Sequence, residues 1–76
     1  MRITRRSFIN GQEVHIPVDE NGMVSASRLR EVAGVDGSRD LIRMSKDGQN
    51  IVINPDEEVF INAGDYFADM PRNIRG

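Results

Sequence analysis

The sequence predicts a small α+β domain in which one helix crosses a mixed β-sheet. Three observations favour this class. A β-hairpin pattern opens the chain, a short capped helix follows it, and several short apolar runs separated by turn residues come last. The chain has 76 residues, which is enough for one small domain and leaves no room for a second core.

The opening hairpin is predicted from alternation and from a tight-turn signal. Residues 3–10 are rich in β-branched and aromatic types, and residues 14–18 alternate between apolar positions and polar or proline positions. Between these segments, Asn10 and Gly11 both tolerate positive φ, which favours a two-residue turn. Because Pro17 has no amide hydrogen, we expect the second strand to lie at a sheet edge or to end there.

A helix is predicted after the loop at residues 19–22. Ser25 is the expected N-cap, with its hydroxyl accepting a hydrogen bond from the amide of Ser27 or Arg28. An apolar stripe follows at helical spacing, made by Ala26, Leu29, Val32 and Ala33. Gly34 is placed to end the helix in the left-handed conformation. A helix of about nine residues is marginal alone, so it must pack on a sheet.

The remaining chain predicts short strands separated by turns. Apolar runs at residues 41–44, 51–53 and 59–61 read as strands, and Tyr66 and Phe67 read as anchors of a last extended segment. A hairpin followed by one helix that crosses a mixed sheet is the β-grasp pattern. The preference for right-handed crossovers lets the last strand lie beside the first.

Composition narrows the function classes. Apolar residues make up 38% and charged residues 29%, which suits a folded domain, and the formal charge of −2 does not favour a nucleic-acid or membrane partner. No apolar run approaches the roughly 20 residues that span a bilayer. The chain has no cysteine, which removes thiol mechanisms and most structural zinc sites. We expect a cytoplasmic monomer without a cofactor.

The polar tail at residues 72–76 is the most informative feature of the chain. It ends in Gly76, whose carboxylate has no side chain beside it, so a narrow enzyme channel can admit the tail and reach its carbonyl. This is the chemistry of a protein that serves as a tag. The alternative interpretation is an ordinary frayed terminus. We therefore divide the chain into a domain at residues 1–70 and a flexible tail at residues 71–76.

Most of the chain, from about residue 10 onward, resembles a known family. The run from Val24 to Val35 is similar to the "helix, then Ala-Gly-hydrophobic" signature of the prokaryotic multiubiquitin-type domain. Short strings downstream fall in the order typical of that family: Asp40-Leu41-Ile42, Asp47-Gly48, Asp56-Glu57-Glu58-Val59, Gly64-Asp65-Tyr66-Phe67 and Pro71.

The resemblance implies a bacterial ubiquitin-like modifier with a β-grasp fold. In that case E1-like and E2-like proteins activate Gly76 as an adenylate and a thioester, and join it to an amine of a protein target. Deubiquitinase-like proteins are the other implied partners. Arg72 and Arg75 are candidates for tail recognition by acidic channels, since arginine suits bidentate contacts. The chain differs from eukaryotic ubiquitin in ending with Arg-Gly, and from multiubiquitin proteins in holding one copy of the unit.

Two further features bear on a modifier. Lys46 is the sole lysine among ten basic residues, so self-modification would be limited to Lys46 and the amino terminus. Adjacent apolar residues at 41–42 and 51–53 must leave some side chains on the outer face of the sheet. Leu41 or Ile42, together with Val52, are therefore candidates for a partner surface. Isolated exposed aliphatic residues are also ordinary.

The other function classes are less well supported. A non-covalent interaction module would use the same fold, with the tail incidental. Sulfur carriers activate a terminal glycine but end in Gly-Gly, unlike Arg75-Gly76. His15, the sole histidine, is expected to be exposed and has no nucleophile predicted beside it, so no catalytic residue is assigned. The acidic residues 56–58 lack the ligand spacing of a calcium loop, so no metal site is assigned.

Overall fold

The computed structural model describes residues 3–71, which contain one helix and seven strands. In chain order these are β1 (Ile3–Ile9), β2 (Gln12–Val18), β3 (Met23–Ser25), α1 (Ala26–Ala33), β4 (Arg39–Met44), β5 (Asn50–Ile53), β6 (Glu58–Phe60) and β7 (Asp65–Pro71). Five strands form one sheet in the order β2-β1-β7-β4-β5, and β3 pairs with β6 in a second, two-stranded sheet. Only β1 and β7 run parallel among these pairs. The predicted α+β class, with a mixed sheet and one helix, is confirmed.

The opening hairpin forms as predicted. Strands β1 and β2 pair antiparallel from Ile3 opposite Val18 to Ile9 opposite Gln12. Asn10 and Gly11 both have positive φ, at 52° and 83°, which matches the twist of a two-residue hairpin turn. Strand β2 is an edge strand, in agreement with Pro17.

The helix has the predicted caps and a narrower apolar face than predicted. The Ser25 hydroxyl accepts from the Arg28 amide at 3.2 Å, and Gly34 ends the helix with φ 72°. Of the predicted apolar stripe, Ala26 and Leu29 are fully buried and Ala33 packs against the core, whereas Val32 is 36% exposed. Val32 lies at the margin of the face, and an eight-residue helix covers too little of the sheet to bury it.

One face of the five-stranded sheet packs against the helix and the two-stranded sheet. The buried cluster takes members from nearly every element: Ile9, Ile16, Val24, Ala26, Leu29, Leu41, Ile53, Val59, Ile61 and Phe67. Phe67 lies on the central strand β7 and is 1% exposed. The Arg43 guanidinium lies over its ring, with Cζ 5.3 Å from the ring centroid. We call this side of the sheet the helix face and the other side the open face.

The pairing of β3 with β6 is a feature that the sequence did not predict. The sequence pattern predicts a strand at residues 59–61 and assigns no strand between the loop at residues 19–22 and the helix. In the structure Met23 lies opposite Phe60 and Val24 opposite Val59, so the two segments satisfy each other's backbone groups. Within residues 3–71, no helix has the length and apolar character that a bilayer crossing requires.

Candidate interaction surface

The predicted conjugation residue and its flanking arginines lie outside the described residues. Gly76, Arg72 and Arg75 follow the last described residue, Pro71, which belongs to β7 and lies opposite Arg39 of β4. Pro71, which the sequence analysis places in the tail, is thus part of β7.

The last residues of β7 are held by a polar network around Asp69. Arg39 Nε donates to Asp69 Oδ2 at 2.5 Å, and Asn10 Nδ2 donates to Asp69 Oδ1 at 3.0 Å. The Asp69 amide in turn donates to Asn10 Oδ1 at 3.3 Å. Because these bonds link β7 to both β4 and the hairpin turn, they hold the last described residues of β7 in place.

The Asp69 network predicts a specific pH dependence of stability. The hydrogen bond from Arg39 holds the pKa of Asp69 below its ordinary value, and the Asn10 amide acts in the same direction against the opposing effect of burial. A carboxyl with a lowered folded-state pKa stabilises the fold above pH of about 4 and loses that contribution as the pH falls through the folded-state pKa. Asp69→Asn is therefore expected to be less stable than the parent protein near neutrality. The difference should shrink on acidification.

Urea unfolding midpoints at neutral pH and at pH of about 3 would check this expectation. The hydrogen bond from the Ser38 hydroxyl also lowers the pKa of Asp36. Asp36 therefore contributes the same loss of stability on acidification to the parent protein and to the Asp69 variant. Only the difference between the two proteins is diagnostic. Glu20→Gln, at an exposed turn position, is the control and should change stability little at either pH. A difference that stays constant with pH would show that Asp69 acts through packing alone.

The predicted partner residues fall on both faces of the sheet. Of the two alternatives Leu41 and Ile42, Leu41 is excluded from a partner surface because it is fully buried in the core. The reason is alternation: Leu41 lies opposite Ile53 on the helix face, whereas Ile42 and Val52 lie opposite each other on the open face. Ile42 is only 5% exposed and Val52 is half-buried, so neither side chain dominates the accessible surface.

Three side chains not singled out as partner residues form an apolar row across the open face. Phe8 of β1 lies beside Tyr66 of β7, and Tyr66 lies opposite Met44 of β4. Tyr66 is 49% exposed and Met44 is 46% exposed. The rings of Phe8 and Tyr66 stack, with centroids 4.9 Å apart and planes 16° apart. The Arg6 guanidinium lies over the Phe8 ring, with Cζ 5.4 Å from the ring centroid.

A second row lies next to the first and completes an apolar surface. Ala68 of β7 lies opposite Ile42, which lies opposite Val52 of β5. We define the open-face patch by its six members: Phe8, Ile42, Met44, Val52, Tyr66 and Ala68. Large contiguous apolar patches on small domains are typical of interaction sites, which makes the open-face patch a candidate contact surface. Two of the three predicted partner residues, Ile42 and Val52, belong to this patch and are less exposed than Tyr66 and Met44.

The sole lysine lies at the end of the sheet where this patch reaches the β4–β5 turn. The turn is closed by the Ser45 amide, which donates to the Gln49 carbonyl at 2.9 Å, and by the Gly48 amide, which donates to the Ser45 carbonyl at 3.1 Å. Lys46 is exposed at its tip. No ion pair involves Lys46 within residues 3–71. Its ammonium is therefore accessible to a reagent or a partner.

The remaining sequence candidates occupy exposed positions. The His15 side chain is 62% exposed, and its Nε2 lies 3.7 Å from Glu13 Oε2, as expected for a surface residue on β2. Residues 56–58 are exposed around the β5–β6 turn. Among residues 3–71, no group of three or more histidine, aspartate or glutamate side chains is arranged to hold a metal ion.

Comparison of the chain with family profiles, with curated protein sequences and with solved structures finds no match. The resemblance to multiubiquitin-type domains therefore stays a prediction from short sequence strings.

Proposed function

We propose that this chain is a ubiquitin-like protein modifier with a β-grasp fold, attached to its targets through Gly76. The sheet order β2-β1-β7-β4-β5 is the observation that most supports the proposal. The first and last strands are parallel neighbours at the centre, and the helix connects the opening hairpin to the rest of the domain. That arrangement is compatible with a β-grasp, and the tail follows the central strand β7 in sequence.

The proposed reaction uses the chain as a carboxyl donor. The Gly76 carboxylate attacks the α-phosphate of ATP on an E1-like protein, which forms an acyl adenylate and releases pyrophosphate. A cysteine thiolate of the partner then displaces AMP to give a thioester. An amine of the target attacks the thioester carbonyl, releases the thiolate and loses a proton, which leaves an amide bond. The modifier needs no catalytic group of its own because its partners supply the thiols.

The tail and the body have separate tasks in this proposal. Gly76 offers a carbonyl without a side chain, which suits a narrow channel, and Arg72 and Arg75 offer guanidinium groups for carboxylates that line it. The network of Asp69 with Arg39 and Asn10 holds the last strand, from which the tail follows in sequence. The open-face patch gives E1-like, E2-like and deubiquitinase-like proteins a surface to grip.

Covalent attachment can be tested in the organism that encodes the protein. An amino-terminally tagged copy would be expressed there, and captured proteins would be digested with trypsin. Because trypsin cleaves after Arg75, a target lysine joined to Gly76 would keep a single glycyl remnant that mass spectrometry identifies. We expect such remnants with the parent protein, and we expect deletion of Gly76 to abolish them.

Two controls sharpen the result. Lys46→Arg keeps the charge but removes the sole lysine amine, so it should eliminate only the remnant at residue 46 of the modifier itself. Intact-mass measurement of untagged protein establishes whether Gly76 carries the free carboxylate in the mature protein. Remnants that persist after deletion of Gly76, or a mature protein in which Gly76 is followed by further residues, would overturn the proposal.

A non-covalent interaction module is the second candidate, and the exposed half of the open-face patch supports it. Tyr66 and Met44 present apolar surface whether or not the tail reacts. In that case the protein would capture the same partners with and without Gly76, and no glycyl remnant would be found. A terminal thiocarboxylate in the intact-mass measurement would instead indicate a sulfur carrier.

A further inference from the structure

A cleft opens where the β4–β5 turn meets the loop between β6 and β7. Its volume is about 570 Å³, and its lining includes Arg43, Met44, Lys46, Asn62, Asp65 and Tyr66. It lies at the end of β7 where the strand begins, whereas the tail follows the other end of that strand at Pro71. The residues described as lining the cleft are thus not those of the proposed conjugation site, and we expect its use not to depend on Gly76.

One wall of the cleft is apolar and partly rigid. Tyr66 and Met44 lie opposite each other in the sheet, and about half of each side chain is exposed. The Tyr66 ring is held by stacking on Phe8, which reduces the entropy lost when a ligand packs against it. Met44 has a flexible thioether chain that adapts to the shape of an aliphatic group. This wall suits a medium-sized apolar side chain.

The charged groups of the cleft leave one cation free. Arg43 Nη2 donates to the Phe60 carbonyl and, at 3.2 Å, to Asp65 Oδ2, so this guanidinium is already used by the fold. Asp65 Oδ2 also accepts from the Asn62 amide at 2.9 Å. Lys46, by contrast, forms no ion pair within residues 3–71.

The other acid of this turn is also engaged. The Asp47 carboxylate accepts a hydrogen bond from the Ser45 hydroxyl. On the far side of the aromatic pair, Arg6 likewise forms no ion pair in the described part of the chain. Lys46 thus lies beyond the Met44 end of the apolar row, and the lining acid Asp65 is paired with Arg43. At the other end, away from the cleft, Arg6 lies over Phe8 and Glu13 of β2 lies opposite Phe8. Such a surface is complementary to an apolar group with carboxylates beside it.

We propose that this cleft binds a short acidic peptide segment of a protein partner, with an aliphatic side chain against Met44 and Tyr66 and a carboxylate at Lys46. A nucleic acid is a poorer fit. Its backbone carries a charge on every phosphate, and the net charge of this chain is −2. The binding adds a specificity for partners to the proposed modifier and would hold equally for a non-covalent module.

The test is an amide chemical-shift titration of the full chain with two blocked pentapeptides. The first, Gly-Asp-Leu-Glu-Gly, carries the acidic and aliphatic groups, and the second, Gly-Asn-Leu-Gln-Gly, replaces each carboxylate with an amide of similar shape. We expect the acidic peptide to shift the amides of residues 44–46 and 62–66. The amide peptide should bind about two- to five-fold more weakly, the factor expected for an exposed ion pair.

Matched variants locate the charge effect. Lys46→Gln is expected to reduce the affinity for the acidic peptide to that for the amide peptide. Arg28→Gln removes an exposed cation from the helix and should leave the affinity unchanged. Tyr66→Ser should weaken both peptides alike, because it removes the apolar wall and not the charge. The chain lacking Gly76 should bind like the parent, so failure here is distinct from failure of conjugation.

Several results would overturn the proposal. Equal affinities for the two peptides would show that charge plays no part, and shifts confined to other parts of the sheet would show that the cleft is not the site. No shift at millimolar peptide would remove the site altogether. If an oligouridylate shifts residues 44–46 and 62–66 at lower concentration than the acidic peptide, the surface binds nucleic acid instead.

Discussion

Replacing Phe67 with alanine is expected to lower the free energy of unfolding by about 3–5 kcal/mol. The side chain is 1% exposed, lies on the central strand, and belongs to the cluster that joins the sheet to the helix. Its removal leaves a cavity that the surrounding strands can close only in part, and it deprives the Arg43 guanidinium of its ring contact. Urea unfolding followed by far-ultraviolet circular dichroism would measure the loss.

The size of this effect makes the companion variants necessary. A chain of this length has a total stability on the order of 4–11 kcal/mol at typical values per residue, so Phe67→Ala approaches the limit of folding. Phe67→Leu keeps an apolar side chain and should give a smaller, measurable loss. Failure of Phe67→Ala to fold together with a measurable loss in Phe67→Leu supports the core assignment.

The neighbouring Tyr66 provides the matched control for Phe67. Tyr66 lies one position earlier on β7 and therefore on the opposite face, where it is 49% exposed. Tyr66→Ala removes the stacking contact with Phe8, which is worth about 0.5–1.5 kcal/mol. Equal losses for the two alanine variants would contradict the assignment of faces on β7.

The parts of the fold that were predictable are those encoded locally. The turn at Asn10 and Gly11 depends on two residues that tolerate positive φ, and the helix depends on a hydroxyl at its start and a glycine at its end. Each of these signals acts within a few residues of chain. The two-stranded sheet was missed because its strands have three residues each, too few for a periodic pattern, and because they pair across more than thirty residues of sequence.

The residues of the open-face patch could not be identified from the sequence, because their positions also depend on pairing between distant strands. In the run at residues 41–42 both side chains are apolar, so the pattern does not say which of them faces the helix. The pairing of β4 with β5 places Leu41 opposite Ile53 on the helix face, and this pairing is part of the tertiary structure. The row formed by Phe8, Tyr66 and Met44 requires the parallel pairing of β1 with β7 and the antiparallel pairing of β7 with β4. The sequence alone predicted Tyr66 only as an anchor of the last extended segment.

Gly22→Ala is expected to destabilise the protein by about 2–3 kcal/mol, from two separate causes. Gly22 has φ 79°, in a region where a residue with Cβ is strained. A Cβ placed there would also lie 2.8 Å from Cε1 of Phe60, closer than nonbonded carbons approach. The Gly22 carbonyl accepts from the Ile61 amide at 3.0 Å, so the backbone cannot move away without loosening the contact between the β3 and β6 segments.

The chain offers a control that separates strain from crowding. Gly48 has φ 87° and nothing within 4 Å of the position a Cβ would take, so Gly48→Ala carries the conformational strain alone and should cost about 1–2 kcal/mol. The excess loss in Gly22→Ala reports the contact with Phe60. A double-mutant cycle with Phe60→Ala should abolish that excess, because the ring that would collide is gone. If the two glycine variants lose the same stability and the cycle shows no coupling, then the exposed Phe60 ring moves aside at no cost, and the close packing of these two segments does not restrict residue 22.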